Sequence, residues 1–436
     1  MSVIVHDPTI DGPTIECEVT PPRRLRRFFT GEPFRVEYDV DVTGLPPEIA
    51  TIPALAHVCP VAWANGVDVQ VSTVDETFLN ALEDVRDVLC RMYPSFIDGG
   101  EIHVEEVVDT RAGRSPTDFD ESGLLFSGGI DSVASYVRHR EEEPTLISVQ
   151  GWVVSVEQDD RWEGAKSHID TFAADRGLPV QNVRSNMLSC LDMPMLQAHY
   201  KRYVDGAWYS SVGHGLGLVA LCAPLSYELG LGTVHIASSH TAEFDQPWGS
   251  HPDIDEEVRW THTAGNHDGY ELSRQDKIEL IAEYARSENR AFPIRTCVHE
   301  ERGGNCNECE KCYRSMCGMV LAGLDPNRFG YEMDEQTFEQ TRESLERKEF
   351  VMDDHTVFHW RDIQNHVRFD REFPVEGATD FFRWLSAVDI DTISESATAP
   401  THHKFVHAMA RNVPYPVYAS LYPVYGALKN VSSLRR

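Results

Sequence analysis

The segment Gly123–Ser132 constrains the fold of this chain more than any other. A short apolar run comes first, a helical pattern through Arg140 comes last, and between them stand Ser127, Gly128, Gly129, Ile130, Asp131 and Ser132. Two glycines let a backbone turn approach an anion closely, and the N-terminus of the following helix directs its N–H groups at the same spot. The two serine hydroxyls add donors. The segment therefore predicts a strand, an anion-binding loop and a helix, and we call residues 127–132 the glycine loop.

The glycine loop differs from the better-known phosphate loop of Walker A type. That loop ends in a lysine followed by Ser or Thr, and no lysine stands near Ser132. The acidic residue here is Asp131, which can either orient the loop or hold Mg²⁺. We therefore predict a nucleotide-phosphate site that works without a loop lysine.

The patterns after residue 118 alternate between strand-like and helical. Apolar strand patterns lie at 124–126, 146–149 and 234–237, and helical patterns lie at 130–140, 162–177, 216–229 and 273–285. Pro224 should interrupt the third of these helices. Ser273, followed three residues later by Asp276, predicts a capped start for the fourth. The alternation predicts an α/β fold, an open and largely parallel sheet with helices on both faces.

The flanking regions differ from this pattern, so we expect three domains. Residues 1–118 predict a separate α+β domain, with strands at 34–40 and 102–108 and a helix at 77–92. Residues 119–325 form the predicted nucleotide-binding domain. Residues 326–436 predict a mostly helical and irregular extension, and its last part interleaves proline with Tyr415, Tyr418, Tyr422 and Tyr425.

The charge of the chain limits its partners. The formal net charge is −31 at pH 7, and only seven of the basic residues are lysines, a balance typical of proteins adapted to high salt. Such a surface repels nucleic acid and anionic membranes. The longest apolar run, residues 216–225, is too short to span a bilayer, and the N-terminus has no leader pattern. We expect a cytoplasmic protein.

Four of the ten cysteines have the spacing of a metal site. Cys297, Cys306, Cys309 and Cys312 follow the pattern C-x8-C-x2-C-x2-C. Four thiolates can close a tetrahedral Zn²⁺ site without an open position, which is a structural type of site. The alternative is an iron–sulfur cluster on Cys306, Cys309, Cys312 and Cys317, although the spacing is one residue off the ferredoxin pattern and the following proline is missing.

The glycine loop resembles the signature of the PP-loop (N-type) ATP pyrophosphatases. Together with the downstream cysteines, residues 122–325 resemble the 7-cyano-7-deazaguanine synthases of that family. The resemblance implies an adenine-nucleotide α-hydrolase-like fold, cleavage of ATP between the α and β phosphates with Mg²⁺, and a structural zinc. It also implies adenylation of a carboxylate, with ammonia as nitrogen donor to an amide or nitrile, as in the biosynthesis of queuosine- and archaeosine-type 7-deazapurines.

The resemblance also implies roles for individual residues. Residues 127–132 would bind the pyrophosphate of ATP, and Asp131 would act in catalysis. Lys277 lies where the family carries a lysine and could neutralise phosphate charge, or it could be an ordinary helix lysine. Asp253 is the third predicted catalytic residue, and His240 and Arg274 are the candidate substrate contacts.

Two segments depart from the family pattern where the deazapurine would be recognised. They are residues 209–215 and residues 150–154. We therefore expect an ATP-dependent C–N ligase acting on a small carboxylate whose identity stays open. The alternatives are a PP-loop enzyme that modifies a tRNA base or a protein terminus, and a nucleotide-binding module without turnover. The sequence leaves open whether the chain forms a homodimer.

Overall fold

A computed structural model describes residues 1–204, 206–297, 304–350, 352–395 and 417. Within them lie thirteen strands: β1 Ser2–Val5, β2 Thr9–Asp11, β3 Thr14–Cys17, β4 Val19–Thr20, β5 Phe34–Tyr38, β6 Asp68–Asp75, β7 Ile102–Val108, β8 Glu121–Leu125, β9 Thr145–Gln150, β10 Val180–Ser185, β11 Leu231–Ala237, β12 Arg259–Trp260 and β13 Thr263–Asp268. The helices of the first half are α1 Pro47–Ala50, α2 Ile52–Trp63, α3 Glu76–Met92, α4 Ile130–His139, α5 Asp159–Ala174, α6 Met193–Tyr200, α7 Trp208–Val212 and α8 His214–Ala220. Those of the second half are α9 Ala223–Leu229, α10 Pro252–Asp255, α11 Arg274–Ser287, α12 Glu310–Leu321, α13 Glu335–Glu346, α14 Asp354–His366, α15 Ala378–Ala387 and α16 Ile390–Glu395.

The largest sheet has nine strands in the order β12-β13-β11-β8-β9-β10-β5-β3-β2. Its five middle strands, from β13 to β10, are parallel. Numbered by their position in the chain, these five run 3-2-1-4-5 across the sheet. After β8 the chain forms β9 and β10 on one side of β8, and it then returns to form β11 and β13 on the other side. The connections that follow β8 and β11 therefore run in opposite directions across the sheet. The predicted α/β fold with a parallel-rich sheet is confirmed.

The strands of residues 1–118 do not all belong to a separate sheet. Strand β5 pairs antiparallel with β10, and β3 and β2 extend the same sheet outward. The other N-terminal strands form a four-stranded sheet in the order β4-β1-β6-β7. The expected three-domain division stays a prediction, but the large sheet crosses its first boundary. The sequence could not show this, because alternation identifies a strand and not its partner.

Two hydrophobic cores lie on opposite faces of the large sheet. Leu146 belongs to one core and its neighbour Ile147 to the other, and successive residues of a strand point to opposite faces. The first core includes α2, α8 and α9, and the second includes α4, α11, α12 and the helices after residue 335. The prediction of helices on both faces agrees with this division.

Local signals placed most helix boundaries well. The predicted capping box is present at α11: Ser273 accepts a hydrogen bond from the N–H of Asp276, and the Asp276 carboxylate accepts one from the N–H of Ser273. The predicted break at Pro224 divides the apolar stretch into α8 and α9. Helices α13 to α16 confirm a helical extension as far as residue 395. The tyrosines at 415, 418, 422 and 425 lie outside the described residues.

Candidate functional site

The glycine loop connects β8 to α4 in the predicted order. Gly128 has a φ of +73°, a conformation that favours glycine. A Cβ on Gly129 would lie 3.3 Å from the carbonyl oxygen of Arg295, so a side chain has little room here. The hydroxyls of Ser127 and Ser132 lie 3.3 Å apart, and the Ser132 hydroxyl donates to the carbonyl of Gly129. The loop is a tight turn closed by its two serines.

The N-terminus of α4 is open to a ligand. Gly129 is its N-cap residue, and no side chain caps it within the described part of the chain. The N–H groups of the first helical turn have no intrahelical acceptors, and the helix dipole favours an anion there. The helix therefore presents donors and partial positive charge at the glycine loop.

A cavity with a volume of about 210 Å³ lies beside this loop, and we call it the loop cavity. It opens between the ends of β8 and β11, where the strand order reverses, which is the place where open α/β sheets bind ligands. Ser127, Asp131 and Ser132 form its polar end. Its walls are mostly apolar and include Phe126, Ile147, Val149, Trp152, Val154 and Trp162.

Asp131 is the centre of a buried charge network. Its carboxylate lies 3.0 Å from Arg274 and 3.5 Å from the ammonium of Lys277. Burial opposes ionisation of Asp131, but the charges of Arg274 and Lys277 outweigh it, so its pKa is lowered. Lys277 also donates a 2.6 Å hydrogen bond to the carbonyl of Ser238. Because two cations already neutralise the carboxylate, the geometry favours loop orientation over Mg²⁺ binding for Asp131.

Lys277 does not line the loop cavity. Its side chain is only 4% exposed, and burial lowers its pKa against the opposing effect of Asp131. Its role in neutralising phosphate charge stays a prediction. Lys277 thus holds two groups in position, the carboxylate of Asp131 and the carbonyl of Ser238 just after β11.

Arg295 was not predicted from the sequence, yet it lies in the loop cavity. Its backbone N–H donates to the carbonyl of Gly128 at 2.8 Å, which attaches its segment to the glycine loop. Two of its guanidinium nitrogens, Nε and one Nη, are buried and have no hydrogen-bond partner in the described part of the chain, which lacks residues 298–303. Burial, and then the charge of Arg161, lower the pKa of Arg295. Only its place two residues before Cys297 could have drawn attention to it.

A second cavity, with a volume of about 580 Å³, adjoins the loop cavity, and we call it the histidine cavity. The two share Asp131 and Ser239. His240 and Arg274, the predicted substrate contacts, both line it. Most of the lining residues that the sequence did not predict are charged, polar or aromatic, and they include Phe244, Gln246, Trp248, Lys311, Arg314, Asp353, Asp354, His355 and His359.

Asp253 is not brought to the glycine loop. It lies on the short helix α10, its side chain is 65% exposed, and its carboxylate is 3.7 Å from the imidazole of His251. It lines neither cavity. The sequence placed it after β11, but fifteen residues separate it from the end of that strand, and this intervening chain carries it to the surface.

The four predicted metal ligands come together. The Sγ atoms of Cys297, Cys306, Cys309 and Cys312 all lie within 4.8 Å of one another. Those of Cys306 and Cys312 are 3.8 Å apart, and a zinc tetrahedron with Zn–S bonds of about 2.3 Å has edges of about 3.8 Å. The cluster is compatible with zinc.

The thiols of this cluster influence one another. A hydrogen bond from Cys312 leads the causes that lower the pKa of Cys309 to about 4. A thiolate is the form that binds a metal. Cys317 lies buried on α12 and is not one of the clustered four, so the ligand set of the iron–sulfur alternative is not the one that the fold assembles.

One further group in the described chain has ligand atoms equally close: His139, Glu142 and His235. His139 uses one ring nitrogen on Glu142 at 2.7 Å and the other on Asp268 at 3.0 Å. The hydrogen bond to Asp268 leads the causes that raise the pKa of His139. The two carboxylates at its ring nitrogens favour the charged imidazolium, so the contacts of His139 with Glu142 and Asp268 are those of an ion network.

Comparison of the chain with protein-family models, with curated proteins and with solved structures gives no match. Among the residues that the structure describes, none of the helices has the length and apolar character needed to cross a bilayer.

Proposed function

We propose that this chain is an ATP-dependent C–N ligase that adenylates a carboxylate in the manner of the PP-loop ATP pyrophosphatases. The observation that carries the proposal is the meeting of two different cavities at one anion-binding loop. The loop cavity is mostly apolar, the histidine cavity is lined by the basic side chains of Arg274, Lys311 and Arg314 and by three aspartates, and Asp131 and Ser239 line both. A nucleotide in the first and an acid in the second would meet at the glycine loop.

The strand order supports the family-level fold. The 3-2-1-4-5 order of the parallel strands is that of doubly wound nucleotide-binding sheets, whose ligand crevice lies at the reversal point. The glycine loop follows the first of these strands. In this proposal the chain has the adenine-nucleotide α-hydrolase-like form of that architecture.

ATP would lie with its base against the aromatic wall of the loop cavity. Its phosphates would accept hydrogen bonds from the N-terminus of α4, from the hydroxyls of Ser127 and Ser132, and from Arg295. The unpartnered nitrogens of Arg295 support this arrangement, because a buried guanidinium without acceptors is costly unless a ligand supplies them. Mg²⁺ bound by the phosphates would spread the remaining charge.

The proposed reaction then proceeds in two steps. A carboxylate oxygen of the acid attacks the α-phosphorus, the bond from that phosphorus to the bridging oxygen breaks, and pyrophosphate leaves. Ammonia then attacks the acyl carbon and loses a proton, and AMP leaves with one oxygen that came from the acid. Dehydration of the amide to a nitrile would need a second activation by ATP.

Zinc on Cys297, Cys306, Cys309 and Cys312 would hold the neighbouring segments together. Arg295 precedes the first ligand by two residues, and Lys311 stands between the last two. Both line cavities at the glycine loop. The metal would thus act as a structural support for two cations of the site.

The segments that depart from the family pattern limit what is proposed about the substrate. Trp152, Val153 and Val154 of residues 150–154 and His214 of residues 209–215 line the loop cavity. We therefore propose a small carboxylate as the acid and not a 7-deazapurine in particular.

Isotope transfer tests the proposal. The protein in high salt receives Mg²⁺, ammonium, ATP and a set of ¹⁸O-labelled carboxylic acids, and the products are analysed by mass spectrometry. The expected result is pyrophosphate and AMP that carries one ¹⁸O. Formation of ADP and phosphate, or no acid-dependent AMP with any acid, would contradict it. Ser132→Ala should lower the rate at least tenfold, whereas Ser167→Ala, at an exposed position on α5, should leave it unchanged.

A further inference from the structure

The C-terminal region supplies one wall of the histidine cavity. Helix α14 begins at Asp354 and packs against α11 and α12. Its Trp360 donates a 2.9 Å hydrogen bond to Glu310, and the same carboxylate accepts from Arg314 at 2.8 Å. The helix is therefore attached to the segment that carries the cysteine ligands.

His359 is buried on this wall. It is 3% exposed, and neither of its ring nitrogens has a hydrogen-bond partner among the residues that the structure describes. A buried polar group without a partner costs free energy, and it persists at sites where a ligand completes it. The position of His359 at the cavity points to a ligand as that partner.

His355 and His240 continue the same wall. The ring centroids of His355 and His359 are 4.2 Å apart, and those of His240 and His355 are 4.5 Å apart. One ring nitrogen of each of His355 and His240 is also buried and finds no hydrogen-bond partner within the described ranges. Burial leads the causes that lower the pKa of His355 to about 4, so at neutral pH the ring is uncharged and offers one N–H donor and one acceptor nitrogen.

The same cavity is lined by three basic side chains, Arg274, Lys311 and Arg314, and by three acidic ones, Asp131, Asp353 and Asp354. The ammonium of Lys311 forms no ion pair or side-chain hydrogen bond within the described part of the chain, whereas Arg314 is paired with Glu310 and Arg274 with Asp131. An unpaired cation beside the glycine loop suits a carboxylate. A wall of neutral imidazoles suits uncharged polar atoms and not a second anion.

We propose that the histidine cavity binds the acid to be adenylated and that His355 and His359 are specificity-determining residues. The inference rests on the proposed function for the reaction and adds the substrate class. The acid is a small molecule with its carboxylate towards Lys311 and an uncharged hydrogen-bonding group at its other end, within reach of α14. The volume of about 580 Å³ lies in the range of small-molecule sites, which is roughly 300–1,000 Å³.

Three matched probes separate the two contacts. Isonicotinate has a carboxylate and a ring nitrogen at the opposite end, benzoate has only the carboxylate, and isonicotinamide has no carboxylate. Each is titrated into protein that holds Mg²⁺ and α,β-methylene-ATP, whose α–β link does not break, and binding is measured by calorimetry and saturation-transfer NMR. Isonicotinate should bind about tenfold more tightly than benzoate and more tightly than isonicotinamide, since each lost contact leaves a polar group unpaired.

Variants assign the contacts to residues. His359→Leu should abolish the tenfold preference for isonicotinate over benzoate, and His359→Gln, which keeps a hydrogen-bonding group, should restore part of it. Lys311→Met should weaken both carboxylates and leave their ratio unchanged. His103→Leu is the control, because His103 is an exposed histidine on β7. The affinity for α,β-methylene-ATP and the melting temperature, measured for every variant, identify any loss of folding.

Several results would overturn the inference. The first is that His359→Leu still binds the nucleotide and keeps the preference for isonicotinate over benzoate. The second is that neither carboxylate binds to nucleotide-loaded wild type at millimolar concentration. The third is that the wild type holds a second metal ion that His359→Leu lacks. Failure of the proposed function looks different, because then α,β-methylene-ATP does not bind or no acid-dependent AMP forms. If AMP forms and its acid specificity ignores both histidines, only the role of α14 is wrong.

Discussion

Arg295→Met should stabilise the ligand-free protein and weaken ATP binding. Two guanidinium nitrogens of Arg295 are buried and have no hydrogen-bond partner among the described residues, and such a group costs about 1–3 kcal/mol. Methionine keeps much of the apolar stem and removes the unpaired donors and the charge. The free energy of unfolding without nucleotide should therefore rise by about 1–2 kcal/mol, at the lower part of that range because the side chain is only partly enclosed.

The loss of ATP affinity follows from the same nitrogens. In the proposed complex they donate to phosphate oxygens, and a hydrogen bond to a charged group contributes about 1.5–3 kcal/mol. Losing one such bond weakens binding roughly ten- to a hundredfold. The stability and the affinity should thus change in opposite directions, which a general disturbance of the fold would not produce.

Two assays and one control check this prediction. Urea unfolding without nucleotide gives the free energy of unfolding, and calorimetry with α,β-methylene-ATP gives the dissociation constant. Arg290→Met is the control, because Arg290 has a half-exposed side chain paired with Asp175, and both quantities should stay within about 0.5 kcal/mol. A destabilised Arg295→Met protein with unchanged nucleotide affinity would refute the reasoning.

Three further predictions concern the metal, the charge network and pH. Cys309→Ser should reduce bound zinc from one ion per chain to substoichiometric levels and lower the melting temperature, as measured by elemental analysis and calorimetry; a brown, iron-containing wild type would contradict it. Asp131→Asn leaves two buried cations without their counter-charge and should cost about 3–5 kcal/mol in urea unfolding, whereas Asp253→Asn, at an exposed position, should cost less than about 0.5 kcal/mol. A hydrogen bond to Asp362 raises the pKa of His366 to about 9. Its contribution is therefore fully present below pH about 6.5 and lost as the pH rises through 9, and because the ring is partly exposed it is on the order of 1 kcal/mol. The stability difference between wild type and His366→Gln should shrink over that window, and a constant difference would contradict it.

Short-range patterns predicted the parts of the site that depend on neighbours in the chain. The glycine loop, the capping box at Ser273 and the break at Pro224 each rest on residues within one or two turns of one another. The cysteine ligands were also predictable, because three of them fall within seven residues and a metal chelate needs such closeness. In each case the local backbone allows few other conformations.

Residues that approach from distant elements could not be predicted in the same way. Asp253 was placed by counting from a strand end, and the structure carries it to the surface. Arg295 reaches the glycine loop through a backbone hydrogen bond to Gly128. The sequence positions of Asp253 and Arg295 do not predict where either side chain lies, because the path of a loop depends on what its ends pack against.

The sequence by itself therefore determined the glycine loop between a strand and a helix, the alternation that makes a parallel-rich sheet, and the set of four cysteines. Only the tertiary structure decided that β5, β3 and β2 extend that sheet, that Asp131 is already neutralised by Arg274 and Lys277, and that His359, more than two hundred residues later in the chain, lines a cavity together with Asp131. The physical reason is that hydrogen-bonded turns and ligand spacings are local, whereas strand pairing and cavity walls are set by packing between segments that the chain order does not relate.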